Sequence, residues 1–249
     1  AVLDSGLDLT HADIPTPVAS KDYSNYPTLD DTIANTVTGH GTHVTGSALG
    51  RGTRSGGVYR GSAPRADLIF LKIGSDTTGS ASAAAIVNAM KAAIDTYSAD
   101  IITMSYGGWS TFQDGTSEGA QAVDYAVSRG AVVLISAGNE GNDNMHYSGT
   151  VSASSTTGYI QINVSGAGSS DTMLFFNLVW YDGTGVHNNL SLQFYNSTYG
   201  SLSTVNEAQT ESPRGTEARM AYYGPSQGYI YWVPSGTSTY YVKVSNSSA

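Results

Sequence analysis

The feature that most narrows the folds open to this chain is a change of hydrophobic period part-way along it. Up to about residue 139, short apolar runs alternate with segments whose apolar residues recur every three or four positions, the rhythm of strand, helix and strand. Strands are expected to end at Asp4 and to run over 67–73, 100–105 and 131–137. One helix is expected after Ser82, with Ile86, Met90, Ile94 and Tyr97 on its inner face. Another follows Thr116 or Ser117, with Ala120, Val123 and Val127 inward and Gly130 as its stop. Near-continuous apolar strands joined by amphipathic crossovers imply an α/β fold, a doubly wound and mainly parallel sheet covered on both faces.

Beyond about residue 147 the helical period vanishes, and runs of Tyr, Val, Ile, Phe and Trp stand between Gly, Ser and Asn turns. Strands are expected over 158–164, 173–181, 190–195, 218–223, 229–233 and 239–244, enough short strands for an all-β sandwich or jelly roll. The composition shifts at the same place: ten of the 17 Tyr fall in the last hundred positions. Two domains are therefore expected, an α/β part over 1–149 and a β jelly roll over 150–249.

With 11 basic against 20 acidic residues, the net charge of -9 has the wrong sign for neutralising phosphates, so nucleic acid is excluded as a partner class. The absence of cysteine removes disulfides, thiolate metal sites and a cysteine nucleophile. The longest apolar runs, 131–135 and 173–176, fall far short of the roughly 20 residues that span a bilayer. The first residues carry neither an initiator Met nor a leader pattern, so a preceding signal peptide or pro-segment is expected. Few charges, at 12%, together with many Gly, Ser, Thr and Tyr suit a secreted or cell-surface location.

Three segments fall where open parallel sheets build their sites, at a strand's carboxyl end or a helix start. They are Asp4-Ser5-Gly6, His40-Gly41-Thr42-His43-Val44-Thr45-Gly46 and Ser136-Ala137-Gly138-Asn139-Glu140-Gly141. Singly, each also reads as an ordinary strand end, structural histidine or turn. In this order they resemble the subtilisin-like serine proteases, the subtilases. So do Asp8 with His11-Ala12-Asp13-Ile14, Gly61-Ser62-Ala63-Pro64 and Ile102-Thr103-Met104-Ser105-Tyr106-Gly107-Gly108. The resemblance covers about residues 1 to 150.

The resemblance implies peptide-bond hydrolysis by an Asp/His/Ser triad, with Asp4 orienting His40, His40 as the base and Asn139 as oxyanion donor. The chemistry accounts for these residue types: a serine hydroxyl attacks only when a neutral imidazole takes its proton and a carboxylate holds the imidazole's tautomer. It further implies that Ser105, Tyr106 and Gly107 on one side, and Gly79, Ser80 and Ala81 on the other, bind an extended polypeptide substrate. His43 is expected to be a packed structural residue. A metal role for His40 and His43 fails for want of a following Glu and a third ligand.

The family's nucleophile lies in Gly-Thr-Ser-Met-Ala-x-Pro at a helix start, and no such segment occurs in this chain. Gly115-Thr116-Ser117 precedes Asn139, and Gly236-Thr237-Ser238 runs into a β-strand, so neither fits. The expected arrangement is a jelly roll inserted between the Asn loop and the nucleophile, with the Ser on the remainder of the catalytic domain. The rival is a non-catalytic extracellular structural or adhesion protein built on the same scaffold. No cofactor is required. Asp13 matches a position that ligates calcium in many subtilases, although the partner loop 51–60 carries three Arg. Asn163, Asn189, Asn196 and Asn246 stand in N-glycosylation triplets, and His146 and His187 read as surface residues.

Overall fold

The computed structural model describes residues 1–26, 28–33, 36–37, 39–143, 145–167, 174–183, 185–223 and 236–248. They divide into two compact units: Ala1–Trp109 with Glu118–Gly141, and Ser110–Ser117 with Asn142–Ala249. Residues 110–117 and 142–149 thus group with the β part rather than with the α/β part. Contacts distant in sequence explain the first of these: Ser212 donates to the Asp114 carboxylate (2.5 Å), and Asn177 donates to the Thr111 carbonyl (2.7 Å).

In the first unit the elements are β1 (Val2–Asp4), β2 (Ala19–Asp22), the short hairpin β3 (Thr32–Ile33) and β4 (Thr36–Val37), α1 (His40–Leu49), β5 (Ile69–Lys72), α2 (Ala83–Asp95), β6 (Ile101–Met104), α3 (Glu118–Ser128) and β7 (Val132–Ile135). Five strands form one sheet in the order β2-β5-β1-β6-β7, and every pairing within it is parallel. Alternation along the strands sends neighbouring residues to opposite faces. Leu3, Leu71, Ile102 and Met104 pack with Met90 and the alanines of α2 and α3. Val2, Leu68 and Phe70 pack with Leu7 and Leu49 of α1. α2 and α3 cover one face, and α1 covers the other at β1 and β5, while Ile101 of β6 and Val132 and Leu134 of β7 stay exposed. Ser82 caps α2 by accepting the Ala85 amide (3.1 Å). β2 gave no apolar signal because Ala-Ser-Lys-Asp sits on a sheet edge, where little of it is buried.

The second unit contains β8 (Ser155–Thr156), β9 (Ile160–Ala167), β10 (Leu174–Tyr181), β11 (Leu190–Tyr195), β12 (Thr204–Asn206), β13 (Thr210–Glu211), β14 (Thr216–Tyr223) and β15 (Gly236–Asn246). They make two four-stranded antiparallel sheets: β10-β14-β12 with β13 beside β14, and β11-β15-β8 with β9 beside β15. Leu190, Leu192, Phe194, Val242 and Val244 of the second sheet share one core with Ala221, Phe176 and Leu178 of the first, and the rings of Phe176 and Phe194 meet edge to face at 5.1 Å. The expected strand over 229–233 and the first residue of the one over 173–181 lie outside the described residues.

Candidate active site

β1 runs through the middle of the parallel sheet, so its last residue, Asp4, reaches the carboxyl edge with its side chain fully buried. His40 is the first residue of α1. Its Nδ1 lies 2.6 Å from Asp4 Oδ1, and its side chain is 51% exposed. A carboxylate at that distance takes the Nδ1 proton as a hydrogen bond, which leaves Nε2 as the nitrogen able to accept another.

Two glycines make this approach possible. A Cβ at Gly41 would stand 2.1 Å from the Gly6 carbonyl oxygen and 3.1 Å from Asp4 Oδ1, and one at Gly6 would stand 2.0 Å from the Asp30 carbonyl oxygen. The glycines of Asp-Ser-Gly and His-Gly thus let strand end and helix start touch backbone to backbone.

Asp4 Oδ1 also accepts the Ser5 amide (2.8 Å), while Oδ2 is buried with no hydrogen-bond partner among the described residues. Burial raises the Asp4 pKa, and the opposing bonds from His40 and Ser5 only partly offset it. A carboxylate so poorly solvated costs stability, and its arrangement makes sense as orientation of the imidazole.

A second ring of contacts, not anticipated from sequence, locks the pair. The Ser5 hydroxyl donates to Asp31 Oδ1 (2.7 Å) and accepts the Gly41 amide (3.1 Å), while Asp31 Oδ2 accepts the Thr42 amide (2.9 Å). Asp31 thereby joins the end of β1 to the first turn of α1. Its own loop is held by Lys72, which is buried on β5 directly beside Asp4 in register. Lys72 Nζ donates to the carbonyls of Thr28 (3.0 Å) and Asp30 (2.8 Å) and pairs with Asp76 (2.5 Å).

Ser105, Tyr106 and Gly107 follow β6, and Asn139 follows β7. Because β1, β6 and β7 are parallel, these residues share the carboxyl edge with Asp4. The Tyr106 hydroxyl donates to the Gly79 carbonyl (2.8 Å), and its ring stands edge-on to His40 at 6.0 Å between centroids. Burial pushes the Tyr106 phenol up to about 12, so it remains a donor throughout the neutral range. Ser80 and Ala81 turn back on Gly74 and Ser75, with the Ser75 amide on the Ser80 carbonyl (3.0 Å). The two segments expected to flank a substrate are therefore tied through one side chain. Asn139 is exposed, and its backbone amide donates to Glu140 Oε2 (2.8 Å).

Other residues stand differently. His43 is exposed rather than packed, because the buried positions of α1 are Gly41, Thr45 and Leu49, a stripe four residues apart that excludes it. Asp13 Oδ1 accepts the Arg54 amide (2.9 Å) and its carbonyl accepts the Arg51 amide (2.8 Å), so backbone groups of the 51–60 loop occupy it. Asn246 is buried, which leaves no room for a glycan there in the folded state.

A parallel α/β sheet with a carboxylate-oriented histidine at its carboxyl edge presents a candidate acid–base pair. A family model described as the subtilase family matches residues 1–248, and the chain belongs to that family. It is 34% identical over 143 residues to the major intracellular serine protease of Bacillus subtilis (strain 168), a match covering 57% of this chain and 43% of that protein. It is likewise 34% identical over 148 residues to thermitase of Thermoactinomyces vulgaris, covering 59% of this chain and 49% of thermitase. Among solved structures, sphericase superposes with a TM-score of 0.44 at 30% identity, covering 59% of this chain and 46% of sphericase. The chain spans less than half the length of each of these relatives.

Proposed function

We propose that this chain supplies two members of the catalytic triad and the oxyanion donor of a subtilisin-type serine endopeptidase, and that the nucleophilic Ser comes from a further segment of the same catalytic domain. The observation that carries the reading is the 2.6 Å contact between a buried Asp4 carboxylate and a half-exposed His40 at the sheet's carboxyl edge. In this mechanism His40 Nε2 removes the serine proton as the hydroxyl attacks the scissile carbonyl, then returns it to the leaving amine. Asp4 holds the tautomer and offsets the imidazolium charge. The Asn139 side-chain amide donates to the oxyanion. Ser105 to Gly107 and Gly79 to Ala81 receive an extended polypeptide on either side.

An open sheet edge supports the completing segment. β7 ends the strand order, and its Val132, Leu134 and Ile135 are 55%, 55% and 42% exposed, although parallel strands are ordinarily covered on both faces. The two-sheet β unit is read as a jelly roll inserted ahead of the nucleophile. The low charge and hydroxyl-rich composition favour secretion, with Asn163 and Asn189 as exposed glycan acceptors.

The test is a fluorophosphonate probe applied to the longer protein. Labelling that His40→Ala abolishes is the expected result. Absence of labelling from the mature, folded protein overturns the proposal and favours the non-catalytic scaffold.

A further inference from the structure

The β unit holds a cluster that the proteolytic reading does not use. Glu211 on β13 and Glu217 on β14 are direct cross-strand partners. Like charges placed opposite one another destabilise a sheet, and here one of them, Glu217, is only 1% exposed, so positive charge beside the pair is stabilising. His187, from the loop between β10 and β11, faces both: Nδ1 is 2.6 Å from Glu217 Oε1 and 3.8 Å from Glu211 Oε2. The three ligand atoms lie within 4.8 Å of one another. Glu217 is aimed at His187 by Gln209, whose Nε2 donates to the other carboxylate oxygen (2.5 Å).

The neighbouring charges do not neutralise the group. Asp182 Oδ2 is taken by the Trp180 indole (2.9 Å) and the Asn188 amide (2.7 Å), and it adds negative charge. Arg219 donates to the neutral Asn189 (2.7 Å) and Gln209 (3.4 Å) side chains. Even a protonated His187 leaves two carboxylates with a single positive charge between them.

We infer that His187, Glu211 and Glu217 form a binding site for a divalent transition-metal ion of the zinc class in the β unit. One imidazole nitrogen with two carboxylate oxygens is a mixed set that suits zinc and disfavours calcium, which takes oxygen ligands alone. Bond lengths near 2.1 Å put tetrahedral ligand atoms about 3.4 Å apart, which asks the His187–Glu217 contact to open from 2.6 Å and Glu211 to close in on His187 from 3.8 Å. Glu211 and His187 are partly exposed and free to make that adjustment, while Glu217 and Gln209 form the fixed wall. The ion takes the place of the Nδ1 proton, which moves to Nε2 or leaves to solvent. Three protein ligands leave a fourth position for water.

The test is equilibrium dialysis of the full chain against zinc chloride, with bound metal measured directly, for the wild type and for His187→Ala and Glu211→Gln. The wild type is expected to take up one equivalent, and each variant to bind at least about tenfold more weakly. Circular dichroism confirms that Glu211→Gln, whose residue is partly exposed, retains the fold. Excess calcium chloride is expected to leave the zinc bound. No uptake by the wild type, equal affinity in the folded Glu211→Gln variant, or displacement of zinc by calcium would each overturn the inference.

Discussion

Replacing Gly41 by Ala sets two effects of opposite sign against each other, and the geometry decides between them. Alanine is favoured over glycine inside a helix by about 1 kcal/mol. Against that, the new Cβ would stand 2.1 Å from the Gly6 carbonyl oxygen, a backbone atom that no rotamer change can clear. Restoring a tolerable contact of about 3.0 Å draws the start of α1 back by about 0.9 Å, and overpacking of this kind costs about 1–3 kcal/mol. The same retreat takes the His40–Asp4 contact from 2.6 Å to about 3.5 Å, the limit of a hydrogen bond. It also strains the Gly41 amide bond to Ser5. Losing a charge-assisted bond costs about 1.5–3 kcal/mol when buried, and His40 is half-exposed, so the lower figure applies. The net expectation is a destabilisation of about 1.5–3.5 kcal/mol. Urea unfolding with an unchanged slope measures it, and the downfield proton resonance of a short His40 Nδ1–H bond is expected to vanish. Gly46→Ala is the control in the same helix: its Cβ would meet only Ile14 Cδ1 at 3.8 Å, so it should be neutral or stabilising. A Gly41→Ala chain that gains stability as Gly46→Ala does, or keeps the downfield resonance, would refute the argument that backbone contact brings the two residues together.

Three further outcomes are expected. Lys72→Met leaves the Thr28 and Asp30 carbonyls and the Asp76 carboxylate without their cation; a loss of about 2–4 kcal/mol should appear in urea unfolding, and an unchanged midpoint would contradict the anchoring role given to Lys72. His187 has its pKa raised by the Glu217 bond and by Glu211, with Asp182 adding to the effect. In chelator, its contribution to stability is therefore full below the ordinary histidine value and lost as pH rises through the raised one. The difference in melting temperature between wild type and His187→Gln should accordingly shrink from about pH 6 to about pH 9, and a constant difference would disprove the linkage. Leu134→Lys, on the exposed edge strand β7, should lower the concentration-dependent light scattering of the isolated chain if that open edge drives self-association, and equal scattering would count against it.

Much of the site was legible because its constraints are local. Asp-Ser-Gly and His-Gly-Thr-His each combine a reactive side chain with a glycine that close backbone approach demands, so residue type and spacing carry the signal together. Ser82 announced a helix start in the same way, by a cap its own segment satisfies. Other features had no local mark. Ser5 and Asp31 are 26 residues apart, Tyr106 and Gly79 are 27 apart, and Asp114 and Ser212 are 98 apart. The short polar strand β2 carries no period at all and owes its place to pairing with β5. His43 was misjudged because a His-x-x-His spacing does not say which side of a helix faces the core.

By itself, then, the sequence determined the change from a parallel α/β sheet to antiparallel β-structure, through the period of its apolar residues. It also marked Asp4 and His40 as a candidate pair, through motifs in which chemistry and backbone clearance coincide. Only the tertiary structure decided that Asp31 and Lys72 brace that pair, that Tyr106 ties two loops, and that Glu211 meets Glu217 before His187. The reason is physical: these are contacts between groups brought together by strand register and loop closure, and neither leaves a trace in the order of neighbouring residues.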